Sequence, residues 1–594
     1  MNRRSLIAWT VIAGTYLSFT LWMYHQWGLI PRNTIIGSAS GDTVQQVWFL
    51  AWPAYALAHG HSPFVSDWLN YPHGVNLMVN TAALIVGIVA APITWIFGPL
   101  ATYAWMLRLS IFATALSGAG VLRRLGFSYP AVFIGGAVWG FNASRLVRGD
   151  IHVFLALQVC TPLIIYAFVQ VIAGRWSRRR GSVLLAVLMS VNFMISPETA
   201  FLDALGLLIA FMSWWIMMHR SRENLRRVLR TGVTAAAGAG VLLSYPLWMF
   251  LAGPQHIKGV VHPFVSDYSV AWSSIMQPSP ANWLAPLGRS GGIGFFNDPQ
   301  HVWVNPAYIG IIVLIVACAG IWIRRKDRST WVVVSVAVVG LILALGPETN
   351  IPFTSITVPM PYALVSHVPL AQSALPVRFE RYVFIACAYF VAVVVQYLYE
   401  QRRVWWRPLA MAAVGGAIVV SLVPQMTYSV QPTYSPEWLS STEARRVLPD
   451  GAVVLSYPYP VVLWDSPMLD QASSGMHYKL IGGQAIVPDD HGRNHGIAPL
   501  KPYAVIDLFW YGMWGADRSG FPYQIGGLPP NTEATARGLR RFVADNHVDA
   551  LVFKPWGLNW QVVLPYLERA FGPPQSRDNG SVQFWRFDRT SPLR

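Results

Sequence analysis

The sequence predicts a polytopic α-helical membrane protein of about eleven transmembrane helices, followed by a C-terminal extracytoplasmic α/β domain; composition, apolar runs and charge placement together lead there. Of 594 residues, 54% are hydrophobic and only 12% charged, and mean hydropathy is +0.41. That is about half the charge content of an ordinary soluble domain, too little to cover a water-solvated surface. Apolar runs of the roughly 17 to 25 residues needed to cross the hydrocarbon recur as far as Pro424 and then stop. The chain then becomes Pro-, Gly-, Asp- and His-rich, which divides it into residues 1–424 and 425–594.

The formal charge of +16 does not describe a nucleic-acid face, because the basic residues sit in short knots between apolar runs. These knots are Arg3/Arg4, Arg123/Arg124, Arg175 with Arg178 to Arg180, Arg220 to Arg230, Arg324 to Arg328 and Arg402 to Arg407, a pattern that the positive-inside rule explains. Cys160, Cys318 and Cys387 all lie in apolar runs, so neither a disulfide framework nor a CxxC metal site is expected.

Leu6 to about Trp27 follows a basic start but lacks a small-residue cleavage site, which marks an uncleaved first span with a cytoplasmic N-terminus. Thr81 to Pro99 is apolar enough to cross, yet little more than Gly98 and Pro99 separates it from the run beginning at Leu100. If both crossed, Arg123/Arg124 and every later knot would change side. Residues 81–98 are therefore expected to lie in the interface or to dip in and return. The remaining spans fall at about 101–122, 128–143, 152–174, 181–196, 199–218, 231–252, 305–323, 331–346, 382–399 and 408–424. The first external loop then runs from 31 to 99. After 425, Ala452 to Tyr457, Val548 to Phe553 and Val582 to Phe587 read as strands, and Leu539, Phe542 and Val543 as a helix face behind the capping candidate Asn531.

Ionised side chains beside a membrane are expensive and therefore informative. Asp42 opens an amphipathic helix through Val47, Trp48, Leu50, Ala51 and Tyr55 that ends at His59-Gly60, expected in the interface with its aromatic face in lipid. It either caps that helix or does chemistry at the membrane surface. Asp67 to Asn76, with His73, is a turn-rich polar stretch of the same loop, and Arg108 sits inside the second span. Arg145 and Arg148, then Asp150 and His152, lie at the mouth of a span; Glu198 lies at another boundary, and Arg378 and Arg381 precede the tenth span. External arginines run against the positive-inside bias and suit phosphate, which the planar guanidinium binds bidentately; headgroup snorkelling or pairing with Glu380 or Asp150 is the other reading.

The first span, a long loop opening with Gly41-Asp42, interfacial helices, an apolar segment ending in Phe97-Gly98-Pro99, and a span carrying Arg108-Leu109-Ser110 together resemble the GT-C glycosyltransferases. The arrangement is similar to that of the protein O-mannosyltransferases and the aminoarabinose transferase, and the match covers roughly residues 1 to 220. The resemblance implies transfer of a sugar from a polyprenyl-phosphate donor to a glycan, lipid or protein acceptor at the outer face of a bacterial plasma membrane. It implies that Asp42 acts as general base with inversion at the anomeric carbon. It also implies that Asp150 assists near the acceptor, and that Asp67, His73, Asn76, Arg108, Arg145, Arg148, His152, Glu198, Arg378 and Arg381 are substrate-binding candidates.

Some members of that family use a divalent cation, but Asp42 and Asp67 are not adjacent and no Asp-x-Asp occurs in the first loop, so no metal or other cofactor is expected. In the C-terminal region, Lys479 to Gln484 lacks phosphate-loop spacing, Asp489-Asp490-His491 reads as a solvated turn, and Trp510, Tyr511, Trp514 and Tyr523 suit either sugar stacking or packing. A transporter or flippase of lipid-linked saccharides, or a non-catalytic assembly scaffold, is the alternative function. No internal repeat of the kind common in transporters is present.

Overall fold

The structure, a computed structural model, describes residues 3–149, 151–218, 222–261, 265–272, 275, 308–352, 354–368, 371–401, 405–423, 428, 430–494, 504–515 and 527–587. Contacts divide the chain into two units, one of residues 1–26, 105–247 and 262–429, the other of residues 27–104, 248–261 and 430–594.

The first unit is helical. Arg3–Met23, Pro99–Arg124, Val153–Ile172, Pro197–Met218 and Pro376–Glu400 are long and apolar enough to cross a membrane, and a sixth span results if Arg222–Leu242 and Ser244–Ala252, bent by 75°, count as one. Ile311–Ile323, Arg328–Ala344 and Arg407–Leu422 are apolar but shorter. The expected eleven spans are therefore not reached by helix length among the described residues. Tyr129–Gly140, for example, has 12 residues, about 18 Å at 1.5 Å per residue against roughly 30 Å of hydrocarbon. Arg178–Ile195 spends its first turn on three arginines.

Arg381–Glu400 is apolar nearly all round and mostly buried, as a central helix must be. Its neighbours approach through glycine, the small-residue packing by which membrane helices come close. A Cβ at Gly135 would stand 3.0 Å from the Ala388 carbonyl oxygen, and one at Gly320 would overlap the Phe390 carbonyl. Gly320→Val is expected to cost about 1–3 kcal/mol or more by overpacking, read as a lowered thermal midpoint in detergent. Gly416, whose Cβ would meet nothing within 4 Å, should accept alanine without that loss.

The second unit is built on a five-stranded mixed sheet of β1 (Ala452–Tyr457), β2 (Tyr478–Leu480), β3 (Ala550–Phe553), β4 (Gln575–Arg577) and β5 (Val582–Arg586), in spatial order β4-β5-β3-β1-β2. β1 runs parallel to β2 and β3, with Leu455 opposite Leu551, while β5 runs antiparallel to β3. Every residue of β1 is buried, which is why it reads as one continuous β-rich run. Leu539, Phe542 and Val543 of the Glu533–Asp545 helix join Phe509 and Leu567 in the core, as their spacing predicted. The helix is capped by Thr532, which accepts from the Thr535 N–H, and not by Asn531.

Residues 27–104 pack within this unit, so the first loop does not group with residues 1–424 as the sequence suggested. Thr34–Ile36 pairs antiparallel with Val430–Pro432. The Asn70 N–H donates to the Gly482 carbonyl at 2.9 Å and the Tyr71 N–H to the Leu480 carbonyl at 3.0 Å. The Asp42–His59 helix ends at Gly60 in the left-handed region, as expected, but its aromatic face is not in lipid. Trp48 and Trp52 are buried and stacked at 5.9 Å, and the Trp48 indole N–H donates to Gln471 Oε1 at 2.6 Å. Periodicity identified the apolar face; a protein surface distant in sequence covers it. Leu84–Phe97, at 14 residues, is shorter than a span and packs on that helix, where a Cβ at Gly87 would stand 2.9 Å from Pro53.

Candidate functional site

In the first unit, a short 3₁₀ turn, Pro376–Glu380, leads into the Arg381–Glu400 helix. Successive side chains there diverge by 100 to 120°, so Arg378, Glu380 and Arg381 face different partners. Arg378 Nη1 donates to Glu198 Oε2 at 2.5 Å, and Glu198 Oε1 accepts the Leu375 N–H at 3.0 Å. Glu380 accepts from the Ser144 hydroxyl at 2.6 Å and pairs with Arg148 at 3.1 Å. Arg381 Nη2 lies 3.1 Å from Asp203 Oδ1 and also donates to Thr161 Oγ1 at 2.6 Å and Gln158 Oε1 at 3.0 Å. Asp203 Oδ2 accepts from Thr161 and Asn192, both at 2.8 Å.

Arg145 differs from the other three. Fully buried, it donates to the Leu155 carbonyl at 3.1 Å and to Gln158, lies over the Trp139 ring at 5.1 Å, and meets no carboxylate among the described residues. Its Nε is buried without a hydrogen-bond partner there. Among the described residues, four guanidiniums thus converge with three carboxylates, a set that suits an anionic oxygen.

Asp150 lies outside the described residues. His152 precedes the short Val153–Ala156 helix, with its ring 5.3 Å from Phe154. Arg108 is buried; its guanidinium lies 5.5 Å from the centroid of the Tyr24 ring and donates to the Tyr24 carbonyl at 3.4 Å.

In the second unit, Gly41 and not Asp42 occupies the cap position, at φ +74°, a conformation that favours glycine. Asp42 is the first helical residue, where a negative charge suits the positive end of the helix dipole, so side-chain capping does not account for it. It is exposed, and its Oδ1 accepts from Gln484 Nε2 at 3.0 Å. The Gln45 amide holds the Gln484 carbonyl at 2.9 Å. Below it the Gly41 N–H donates to Asp465 Oδ1 at 3.0 Å. Asp465 is fully buried, and its Oδ2 has no partner among the described residues. Burial, with the Asp42 charge adding to it, holds the Asp465 carboxyl well above the usual carboxylate range despite the Gly41 N–H.

A raised acid pKa means that the folded state keeps a proton which the unfolded chain loses near pH 4. The stabilisation is complete below that value and is lost as pH rises through the folded pKa. Asp465→Asn keeps an acceptor for Gly41 and cannot ionise. Its thermal midpoint should therefore vary less with pH than that of the wild type above pH 4, as differential scanning fluorimetry across pH would record.

Other first-loop candidates are occupied structurally. Asp67 pairs with Lys479 Nζ at 2.5 Å. The Asn76 amide donates to the Met249 carbonyl at 2.7 Å and the Pro254 carbonyl at 2.8 Å, and its Oδ1 accepts the Met78 N–H. His73 is exposed. A hard divalent cation needs several converging oxygen ligands, and among the described residues no three His, Cys, Asp or Glu side chains converge to hold one.

Sequence reasoning missed Asp203 and Asp465. Asp203 carried a signal, as an acid alone in an apolar run; Asp465, in Asp-Ser-Pro ahead of a helix, reads as an ordinary cap.

Among solved structures, the arabinofuranosyltransferase AftD from Mycobacteria matches 99% of this chain at TM-score 0.54 and 14% identity. This chain spans only 40% of AftD's length. The archaeal oligosaccharyltransferase AglB from Archaeoglobus fulgidus, solved with an inhibitory peptide and a dolichol-phosphate, matches all of this chain and 76% of its own length, at TM-score 0.51 and 10% identity. Both are GT-C-type membrane glycosyltransferases, and the chain shares their fold. No family model matches the chain, and no curated protein matches its sequence.

Proposed function

We propose that the chain is a glycosyltransferase that moves a sugar from a polyprenyl-phosphate donor to a cell-envelope acceptor at the outer face of the cell membrane, with inversion. The observation that carries this reading is Asp42. It is an exposed carboxylate at the first turn of a helix, oriented by the Gln484 amide and set on the Gly41–Asp465 hydrogen bond. A hydroxyl is a poor nucleophile until a base within hydrogen-bond reach takes its proton. Asp42 takes that proton as the acceptor oxygen bonds to the anomeric carbon and the bond from that carbon to the phosphate oxygen breaks. The sugar's configuration inverts, and polyprenyl phosphate leaves. Its growing charge needs a donor that stays cationic, a role that the planar guanidinium of arginine suits. The dolichol-phosphate in the AglB structure supports a lipid-phosphate donor here.

The test is a transfer assay on protein reconstituted in lipid, supplied with polyprenyl-phosphate-linked pentoses and hexoses and with glycan, lipid and peptide acceptors. Turnover of one donor with inverted product is expected. Absence of turnover with every donor would favour transport or scaffolding instead.

A further inference from the structure

Two cavities in the second unit take no part in the chemistry above. One, of about 750 Å³, is bordered by Glu437, Lys554, Asp578 and Asn579; the other, of about 700 Å³, by Ser38, Ser40, Trp464 and Trp514; Tyr434 and Trp556 line both. Their volumes fall within the range of small-molecule sites. Tyr434 is 68% exposed and Trp556 45% exposed. The two rings meet edge to face at 6.1 Å and 77°, so each offers a flat apolar surface with a polar handle. Trp464 and Trp514, perpendicular at 5.5 Å, make a further aromatic wall.

The polar border selects the ligand's charge. Glu437 and Asp578 are exposed carboxylates, whereas the cation of Lys554 is consumed by Asp470 at 2.5 Å, with Ser466 at 3.0 Å. In a chain of net charge +16, this cleft carries two acids on its wall that pair with no cation among the described residues, although Asp578 Oδ2 accepts the Trp438 N–H at 2.9 Å. They repel phosphates and uronic acids but accept hydrogen bonds from neutral hydroxyls. Asp578 and Asn579 both adopt positive φ, at +47° and +54°, uncommon for residues other than glycine. That turn holds both polar side chains at the cavity border. Ser38 and Ser40 border the second cavity directly before Gly41-Asp42 in the chain.

We infer that this cleft binds a neutral oligosaccharide, with sugar rings stacked on Tyr434 and Trp556 and their hydroxyls on Glu437, Asp578, Ser38 and Ser40. Its identification as the glycan acceptor rests on the transferase reading; the binding itself does not.

The test is calorimetric titration of the full chain in lipid nanodiscs with a mannotetraose, an arabinofuranosyl tetrasaccharide and inorganic phosphate. At least one saccharide should bind with a millimolar or tighter constant, and phosphate should neither bind at the cleft nor displace it. Trp556→Ala should weaken binding about tenfold, the effect of losing roughly 1.4 kcal/mol of stacking, while Trp556→Phe stays within about twofold of wild type because a ring is retained. Should Trp556→Ala lower the thermal midpoint, the more exposed Tyr434→Ala carries the comparison. The site is overturned if neither saccharide binds, if both alanine variants bind as wild type does, or if phosphate displaces the saccharide. Donor turnover without saccharide binding keeps the transferase and removes this site; saccharide binding without donor turnover does the reverse.

Discussion

Asp42→Asn in the reconstituted protein is expected to lower sugar transfer by about 10² to 10⁴, the usual contribution of a positioned general base. The substitution is conservative in size and shape, and its electrostatic cost at an exposed first turn is small, about 0.3–1 kcal/mol. Asparagine keeps an oxygen to accept the Gln484 amide, the side chain is exposed, and the helix is capped by Gly41 and not by residue 42. The thermal midpoint should therefore stay near that of the wild type while the maximal rate collapses. Asp42→Glu retains the carboxylate but shifts it by about one methylene, and misplacement of that order costs roughly 10²-fold. Initial rates at saturating donor distinguish these outcomes, and equal rates for Asp42→Asn and wild type would remove the carboxylate from the chemistry.

The largest loss of stability is expected at the Arg381–Asp203 pair. Both side chains are 3% exposed, 3.1 Å apart, and braced by Thr161, Gln158 and Asn192. Removing one partner strands the other as an uncompensated buried charge, which typically costs about 3–5 kcal/mol. Asp203→Leu and Arg381→Met should each reduce folded yield and lower the thermal midpoint in detergent. The double variant should recover most of the loss, because two apolar side chains replace two charges and leave neither stranded. If the double variant is no more stable than either single one, the surrounding hydrogen bonds and not the pair carry the stabilisation.

How much of this was legible in the sequence depended on whether the deciding partner was local. The Asp42–His59 helix with its Gly60 stop, the strands at 452 and 550, and the core face of Leu539, Phe542 and Val543 follow from periodicity and turn chemistry within a few residues. Pairing with Glu380 was one reading of the external arginines, but which of them it pairs with was not legible: it is Arg148, more than two hundred residues away in sequence. The aromatic face of the first loop helix was assigned to lipid because a periodic pattern records that a surface is covered and not by what. Gln471, which receives the Trp48 indole, lies more than four hundred residues later. Helix length misled in the other direction, since an apolar run that looks like a span can end early, as Tyr129–Gly140 does at 12 residues.

The pairing of Thr34–Ile36 with Val430–Pro432 also sets an order of events during synthesis. The first strand and the Trp48/Trp52 helix leave the ribosome hundreds of residues before the segments that cover them. At 5 to 20 residues per second they therefore wait roughly 20 to 80 seconds for those partners, with Leu84–Phe97 against the helix in the meantime. Contacts of such sequence separation are slow to form and expose the chain to misassembly meanwhile. A chain halted before residue 430 would retain its early helices yet lack both the strand that pairs with Thr34–Ile36 and the Gln471 acceptor of the Trp48 indole.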